Sequence, residues 1–348
     1  MNPKETHYTL ARARALHELQ LQQGIRLCEG GKALGYAFPV EFLDEESWVA
    51  LAPLKPQLLL SAVRATAAGI APQNGVAALD TSGFSREQCW QWAVGNRGKL
   101  AAPPAILPSP AFGKELITLA KQAAVIPALL WIPSETLFPE TFALDIEALR
   151  FVPKAELRRG ETVALPIEGA EDATLTGFRT RSDASVHLAL TIGDIHGKEP
   201  PLVRVHSSCV TGDLLGSLRC DCGGQLQQAL AHMKKARCGI LLYLHQEGRG
   251  IGISSKLRAY ALQENGVDTF AANEQLGFAA DERDFSLAGA MLQSLGVSAI
   301  RLLTNNPDKI EALSPPAITV TERLPLVTDA TAHNHAYLDA KKIKHGHF

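Results

Sequence analysis

Long apolar runs and a strong net charge are both missing from this sequence. No apolar stretch reaches the roughly eighteen residues that a membrane-spanning helix needs, and the formal net charge at pH 7 is only −2. We therefore expect no membrane association and no overall field that attracts nucleic acid. Residues 1–7 lack the apolar core of a signal peptide, so the six cysteines are expected to be reduced thiols in the cytoplasm.

The length and composition favour a two-domain globular protein. Hydrophobic residues make up 46% and charged residues 20% of the 348 positions, which is ordinary for such a protein. Two domains of this size could each bury a core. Charge and turn residues concentrate between residues 153 and 170, so we place the domains at residues 1–155 and 156–348. Alternating predicted strands and helices indicate an α/β fold, with α+β on a mixed sheet as the alternative.

Periodicity predicts the positions of several elements. We expect a helix over residues 9–24, capped by Thr9. We also expect a later helix to begin at Asp281, Arg283 and Asp284. The predicted strands are residues 25–28, 203–206, 239–244 and 299–303. The other predicted helices are residues 225–236, 254–266 and 285–295.

A cluster of three cysteines lacks the fourth that would close a structural metal site. Cys209, Cys220 and Cys222 lie within fourteen residues in the spacing C-x10-C-x-C. Structural zinc sites usually have four protein ligands, whereas catalytic ones keep a position open. Buried free cysteines could also cluster as small hydrophobes. The flanking Arg219 and Asp221 mark a polar turn instead, and the pattern therefore indicates a catalytic metal site.

Several polar segments downstream carry both a functional and a purely structural interpretation. The glycine-rich loop over residues 247–252 could cradle a phosphate or form a plain tight turn. Lys256 and Tyr260 share a helix face, where Tyr260 could donate a proton or simply pack. Residues 304–309 could bind phosphate or start a helix in the ordinary way.

The motifs of the second half resemble GTP cyclohydrolase II, the first enzyme of riboflavin synthesis. The matching strings include Arg204-Val-His-Ser, Cys-Val-Thr-Gly-Asp213, Ser-Leu-Arg-Cys-Asp-Cys-Gly223, Gln246-Glu-Gly-Arg249, Arg258-Ala-Tyr-Ala-Leu-Gln263, Ala-Ala-Asp-Glu-Arg-Asp-Phe285 and Leu-Leu-Thr-Asn-Asn-Pro307. The resemblance extends from about residue 160 to the end of the sequence, a little over half of it.

The resemblance implies a role for each matched residue. One catalytic Zn²⁺ per chain would be bound by Cys209, Cys220 and Cys222. Tyr260 would lie close to the metal-bound water, Asp281 would accept a proton, and Arg283 would be the nucleophile, although a protonated guanidinium is a better phosphate clamp than attacker. The implied GTP contacts are Arg204, Val205, His206, Ser207, Ser208, Gln225, Glu247, Gly248, Arg249, Thr269, Thr304 and Lys309. Ser208 stands where the family often has glutamate.

The chemistry of the family implies the reaction products and a second metal ion. Zinc-activated water would open the guanine ring at C8 and release formate, while Mg²⁺ would neutralise the triphosphate as pyrophosphate leaves. We expect a homodimer, with GTP as the small-molecule substrate. Two rival functions remain: a regulator that binds nucleotide or zinc at a retired site, and a partial hydrolase that opens the ring without completing formate release.

The first half resembles dihydroxybutanone phosphate synthase in its order of helix, glycine and strand. That enzyme has an acidic Mg²⁺-binding loop after the first strand, whereas this sequence reads Cys28-Glu-Gly-Gly-Lys-Ala33 there. Only His7 and His17 precede residue 187. We therefore expect residues 1–155 to be a degenerate, non-catalytic relative with a structural or regulatory role.

Overall fold

A computed structural model shows two compact units, each built around a seven-stranded sheet. It describes residues 2–41, 43–95, 100, 104–135, 138, 140–153, 157–306, 308–313 and 318–326. The first unit joins Met1–Lys154 to Gly250–Glu282, and the second joins Ala155–Arg249 to Arg283–Phe348. The predicted boundary at residues 155/156 falls outside the described residues.

The first unit contains strands β1–β7 and helices α1–α6, α8 and α9. Its strands are β1 (Ile25–Glu29), β2 (Lys32–Pro39), β3 (Gln57–Ser61), β4 (Val76–Asp80), β5 (Ile106–Leu107), β6 (Ala128–Ile132) and β7 (Phe142–Asp145). Its helices are α1 (Pro3–Gln20), α2 (Glu45–Leu51), α3 (Ala62–Ala67), α4 (Arg86–Val94), α5 (Gly113–Gln122), α6 (Ile146–Arg150), α8 (Gly252–Glu264) and α9 (Thr269–Gln275).

Helices cover both faces of the first sheet. The strand order is β5-β4-β3-β6-β2-β1-β7, antiparallel throughout except for the parallel pair β1–β7. Successive residues of β3 enter opposite cores because side chains alternate along a strand: Leu58 and Leu60 pack with α2, α4, α8 and α9, whereas Leu59 packs with α1, α5 and α6. The segment that contains α8 and α9 is therefore part of the core of this unit.

The second unit contains the remaining elements. Its strands are β8 (Leu157–Ala164), β9 (Thr174–Thr180), β10 (Val186–Gly193), β11 (Leu202–Ser207), β12 (Cys238–Leu244), β13 (Ala299–Leu303) and β14 (Thr319–Leu324). Its helices are α7 (Cys222–Ala236), α10 (Ser286–Ser294) and α11 (Asp308–Leu313). A core with Met291 lies on one face of the sheet and a core with Met233 on the other.

The second sheet contains both parallel and antiparallel strands. The predicted combination of strands and helices is confirmed, and the sheet is of the mixed kind given as the alternative. Its order is β14-β13-β11-β12-β10-β9-β8. Strands β11–β14 run parallel to one another, while β8, β9 and β10 pair antiparallel. Parallel strands end at one edge of a sheet, so the loops after β11, β12 and β13 share that edge. Among the helices in the described part of the chain, none has the length and apolar character needed to cross a membrane.

Candidate metal centre

The loops at the carboxyl edge of the parallel strands contain several of the residues singled out in the sequence. Ser208 and Cys209 follow β11, Glu247 lies three positions after the end of β12, and Thr304 follows β13. In open α/β sheets ligands bind at this edge, because several loops converge there and the strands hold them rigidly. The second unit therefore has a platform for a site at the expected place.

Three thiols come together at this edge. Cys209 precedes a single π-helical turn, Val210–Leu214, and Cys222 is the first residue of α7. The sulfur atoms of Cys209, Cys220 and Cys222 all lie within 4.8 Å of one another, and the Sγ atoms of Cys209 and Cys220 are 3.7 Å apart. Zn–S bonds of about 2.3 Å in a tetrahedron place sulfurs about 3.8 Å apart. The donor set and its spacing therefore fit a zinc ion with one position open.

Two glycines give the thiols their room. A Cβ added at Gly212 would lie 2.8 Å from the Cys220 sulfur and 3.2 Å from the Cys209 sulfur. A Cβ at Gly223 would lie 2.3 Å from the carbonyl oxygen of Gly212. Because contacts of 2.8 Å and 2.3 Å are shorter than side-chain packing allows, a larger residue at Gly212 would displace the sulfurs, and one at Gly223 would displace the Gly212 backbone.

Hydrogen bonds among the three thiols favour their protonated forms. Hydrogen bonding to Cys209 raises the pKa of Cys220, and it raises the pKa of Cys222 well above its ordinary value, with burial adding to both. A divalent cation reverses this balance, because metal ligands bind as thiolates and release their protons. A metal bound at the cluster would therefore displace the thiol protons.

Asp213 organises the backbone at Cys209, although the sequence analysis assigned it no role. The carboxylate of Asp213 accepts hydrogen bonds from the Cys209 backbone N–H, the Tyr243 hydroxyl and His206 Nε2, all at 3.0 Å. The His206 ring stacks on that of Tyr243 with centroids 5.6 Å apart. Burial lowers the pKa of His206 even though Asp213 opposes the shift. In the sequence Asp213 is visible only as the last residue of the matching string Cys-Val-Thr-Gly-Asp213.

The glycine-rich segment forms a strained turn that is attached to the cysteine loop. The Glu247 carboxylate accepts hydrogen bonds from the backbone N–H of Val210 at 2.7 Å and of Gly248 at 3.0 Å. Gly248 and Arg249 both adopt left-handed backbone, with φ of 63° and 62°. A non-glycine residue pays of order 1 kcal/mol for this conformation. The fold therefore fixes the direction of the chain at Arg249 at an energetic cost.

A buried arginine lies behind the cysteine loop. Arg204 is 5% exposed, and it donates from Nη1 to the Leu303 carbonyl at 3.1 Å and from Nη2 to Gln225 Oε1. Gln225 in turn donates to Asp221 Oδ2 at 2.6 Å. Burial lowers the pKa of Arg204 to about 10, so the guanidinium stays charged at neutral pH. Its Nε has no hydrogen-bond partner among the described residues, which leaves a buried cationic donor for an anionic ligand.

Two cations share one aromatic ring at the start of α10. The Arg283 guanidinium carbon lies 4.9 Å and Lys309 Nζ 5.0 Å from the Phe285 ring centroid. Lys309 is buried and donates to the Val205 carbonyl at 2.7 Å. Positive charge is therefore concentrated around Phe285, a residue to which the sequence interpretation assigned no role.

The serines at the end of β11 and the threonine after β13 shape the loops. Ser208 Oγ accepts from the Gln246 backbone N–H at 3.2 Å, and Ser207 Oγ lies 3.5 Å from Gln246 Oε1. Thr304 is buried, and its hydroxyl accepts from the Asn306 backbone N–H at 3.1 Å. At the position where the family often has glutamate, Ser208 thus bonds to the backbone of the neighbouring loop.

The structure divides the predicted site residues between the two units. Tyr260 on α8, Thr269 at the start of α9, and Asp281 belong to the first unit, whereas the other predicted residues belong to the second. Lys256 Nζ lies 5.8 Å from the Tyr260 ring centroid, as their helical spacing predicts.

One expectation in this region is wrong. Asp281 and Arg283 do not open a helix, because α10 begins at Ser286 and residues 281–285 are non-helical. Asp284 contacts the helix start, where its carboxylate accepts from the Ser286 backbone N–H at 2.8 Å. The aspartate and the arginine therefore lie on a connecting segment.

Comparison with known proteins reveals close relatives of the second half of the chain. The family described as GTP cyclohydrolase II matches residues 158–325. GTP cyclohydrolase-2 of Cronobacter sakazakii is 52% identical over 192 residues, covering 55% of this chain and 97% of that protein. The Baumannia cicadellinicola enzyme of the same name is 53% identical over 192 residues, covering 55% and 96%.

A solved structure is similar over most of the chain. It is RibBX, a two-domain 3,4-dihydroxy-2-butanone 4-phosphate synthase from A. baumannii, at 15% identity and a TM-score of 0.31, covering 91% of this chain and 99% of that one.

Proposed function

Because the chain belongs to the GTP cyclohydrolase II family, we propose that it hydrolyses GTP to 2,5-diamino-6-(5-phosphoribosylamino)pyrimidin-4(3H)-one, with release of formate and pyrophosphate. This reaction is the first step of riboflavin biosynthesis. The observation that carries the proposal is the cluster of three thiols, Cys209, Cys220 and Cys222, at the carboxyl edge of the parallel strands. The absence of a side chain at Gly212 leaves room for the sulfurs of Cys209 and Cys220.

We propose one Zn²⁺ per chain on the three thiols, and Mg²⁺ with the triphosphate. Zinc at such a site lowers the pKa of a bound water to about 7 and acts as a Lewis acid. The chain's own contribution is to hold the thiols at fixed spacing. Asp213 does so by binding the Cys209 backbone, and Glu247 does so by binding the next residue, Val210.

The remaining roles follow from charge and placement. Arg204, Lys309 and Arg283 are the cations that would hold the anionic substrate in the second unit. Tyr260 would transfer a proton during ring opening and formate release, and Asp281 would accept one. Arg283 would clamp the α-phosphate. Its planar fork of donors suits that task, and the Phe285 ring holds it from one side.

The test is incubation of the purified full-length protein with GTP and Mg²⁺, with formate, pyrophosphate and the pyrimidine product measured together. The proposal expects all three in equal amounts. Pyrophosphate without formate would indicate that only the phosphate bond is cleaved, and ring opening without formate would indicate a partial hydrolase. Bound GTP with no product would indicate a regulator.

We also propose that the protein is a cytoplasmic homodimer. The six cysteines form no disulfide in the described part of the chain, which suits a reducing compartment. Four apolar side chains of the cysteine loop are exposed: Val210, Leu214, Leu215 and Leu218, with Leu214 77% and Leu215 70% exposed. Exposed apolar clusters of this kind mark association surfaces. Light scattering should give twice the chain mass, and Leu214→Glu should lower it.

We further propose that residues 1–155 are a non-catalytic domain. The segment expected to contain an acidic metal loop is a tight hairpin, in which Glu29 pairs with Lys32 and only Gly30 and Gly31 intervene. Their φ angles of 57° and 83° are those of a two-residue turn. Such a turn has no room for a cluster of carboxylates.

A further inference from the structure

The segment Gly250–Glu282 belongs to the matched family region in sequence but to the first unit in structure. Five of its apolar residues are buried in the core of that unit. Ile251, Ala259, Ala272, Leu276 and Phe278 are at most 4% exposed there. The core partners come from the N-terminal half and include Trp48 of α2 and Leu60 of β3. Residues 1–154 therefore supply the surface on which α8 and α9 fold.

A nearly buried ion pair fastens α8 to that surface. Glu41 follows β2, and its Oε1 lies 2.5 Å from Arg258 Nη1 on α8. The Glu41 side chain is only 2% exposed, and its second oxygen accepts the Ile126 backbone N–H at 2.7 Å. Arg258 also lies 5.7 Å from the Trp90 ring centroid. Both carboxylate oxygens are thus engaged, and a buried, fully paired carboxylate holds its partner in one geometry.

Two further contacts hold the end of the segment. Ser61 Oγ donates to the Gly277 carbonyl at 2.7 Å. Lys121 Nζ lies 2.6 Å from Glu282 Oε1, and the same oxygen accepts the Ala279 backbone N–H at 2.6 Å. Glu282 is the neighbour of Asp281. The N-terminal half therefore fixes the segment near both of its predicted catalytic residues, Tyr260 and Asp281.

The position of Arg258 on α8 gives the ion pair control over the direction of Tyr260. Residues two apart on a helix are about 200° apart around its axis, so Arg258 and Tyr260 lie on different faces. The face that contains Arg258 and the buried Ser255 and Ala259 packs against the rest of the first unit. Fixing that face fixes the rotation of the helix, and with it the direction in which the tyrosine hydroxyl is presented.

We propose that Glu41, which lies outside the matched family region, is a positioning residue for GTP hydrolysis and acts through Arg258 on Tyr260. This inference rests on the proposed function. It makes the N-terminal half a structural part of the catalytic apparatus, because it orients a proton-transfer group without itself touching substrate. A displacement of about 1 Å in such a group can cost up to 10²-fold in rate.

The test compares Glu41→Gln with Glu46→Gln in the full-length protein. Glu46 is an exposed carboxylate of the same unit and serves as the matched control. Four quantities are measured: kcat for formate release, KM for GTP, zinc per chain, and hydrogen exchange of residues 252–264. Glu41→Gln should lower kcat roughly tenfold, leave KM and zinc unchanged, and speed exchange in α8. Glu46→Gln should match wild type in all four.

A double-mutant cycle separates positioning from general destabilisation. In a Tyr260→Phe background Glu41→Gln should cause no further loss of kcat, because the group it orients is absent. An equal loss in both backgrounds, or a kcat for Glu41→Gln within twofold of wild type, overturns the proposal. If Glu41→Gln fails to fold, Glu41→Asp, which keeps the charge but shortens the reach, is judged by the same criteria.

The exchange measurement keeps this proposal distinct from the proposed function. If the wild-type protein releases no formate, the proposed GTP hydrolysis is wrong. Hydrogen exchange then tests by itself whether the Glu41–Arg258 ion pair anchors α8. Faster exchange confined to α8 in Glu41→Gln would then support the ion pair as its anchor, and unchanged exchange would overturn it.

Discussion

The Nε2 atom of His206 lies 3.0 Å from both carboxylate oxygens of Asp213. The same carboxylate accepts the backbone N–H of Cys209 and the hydroxyl of Tyr243. Three donors from two strands and one loop thus converge on the Asp213 carboxylate. Through its backbone N–H, the candidate metal ligand Cys209 is held in place by this carboxylate. Groups that orient metal ligands in this way typically affect metal affinity 10–100-fold.

Asp213→Asn should therefore weaken zinc binding although residue 213 is not a ligand. The amide offers one acceptor oxygen where the carboxylate offers two, so one buried donor loses its partner, at about 1–3 kcal/mol. We expect roughly 10-fold or greater loss of zinc affinity in a chelator competition and a lower urea midpoint. Asp172→Asn, at an exposed position, is the control. Zinc affinity within twofold of wild type would show that Asp213 does not organise the site.

Removal of one thiol should remove both the metal and ring opening. Cys220→Ser replaces a soft thiolate with a hydroxyl that binds zinc poorly. The purified variant should contain little zinc and release no formate. Cys238→Ser is the matched control, because that thiol lies outside the cluster and donates to the Asp194 carbonyl, as serine also can. Full zinc and full formate release in Cys220→Ser would refute the ligand assignment.

Local patterns predicted much of the fold, and the failures have physical reasons. The strand over residues 239–244 and the helix over residues 225–236 are present as β12 and α7, because continuous and amphipathic apolar patterns are local signals. The first helix begins at Pro3 rather than at Thr9, since Asn2 accepts the Lys4 backbone N–H and proline suits a first turn.

The site was predictable only where its residues are close in sequence. The cysteine cluster is visible as a motif, whereas the role of Asp213 depends on Tyr243 and His206, which adjacent strands bring together. The partnership of Glu41 with Arg258 spans 217 positions. Sequence spacing contains no information on such a pair, so the membership of α8 in the first unit could not be foreseen.

Tyr260→Phe should slow formate release without disturbing the fold. The substitution keeps the ring and removes only the hydroxyl, and general acid–base groups are typically worth about 10²–10⁴ in rate. The variant should retain zinc and bind GTP with wild-type affinity. Tyr243→Phe is a useful contrast, because its hydroxyl bonds to Asp213 and its loss should lower stability as well. An unchanged formate rate in Tyr260→Phe would contradict the proton-transfer role.

Arg283→Lys should impair pyrophosphate release more than zinc binding. Lysine keeps the positive charge but replaces a planar fork of donors by a single ammonium. It also loses the contact of the guanidinium with the Phe285 ring. We expect at least a tenfold slower appearance of pyrophosphate, about the effect of one charge-assisted hydrogen bond, with zinc per chain unchanged. Arg158→Lys, at an exposed position, should behave as wild type. Wild-type pyrophosphate kinetics in Arg283→Lys would exclude the clamp.

The N-terminal half should not make dihydroxybutanone phosphate from ribulose 5-phosphate. That reaction needs a divalent metal on several carboxylates and well-placed acid–base groups. Between β1 and β2 the chain instead makes a two-glycine turn, with Glu29 as the one carboxylate beside it. The two histidines of this half, His7 and His17, both lie on α1. The purified protein with Mg²⁺ should give no product above a protein-free blank, while formate release from GTP by the same preparation shows that it is folded. Clear turnover of ribulose 5-phosphate would make the protein bifunctional and would require acid–base groups other than those the turn provides.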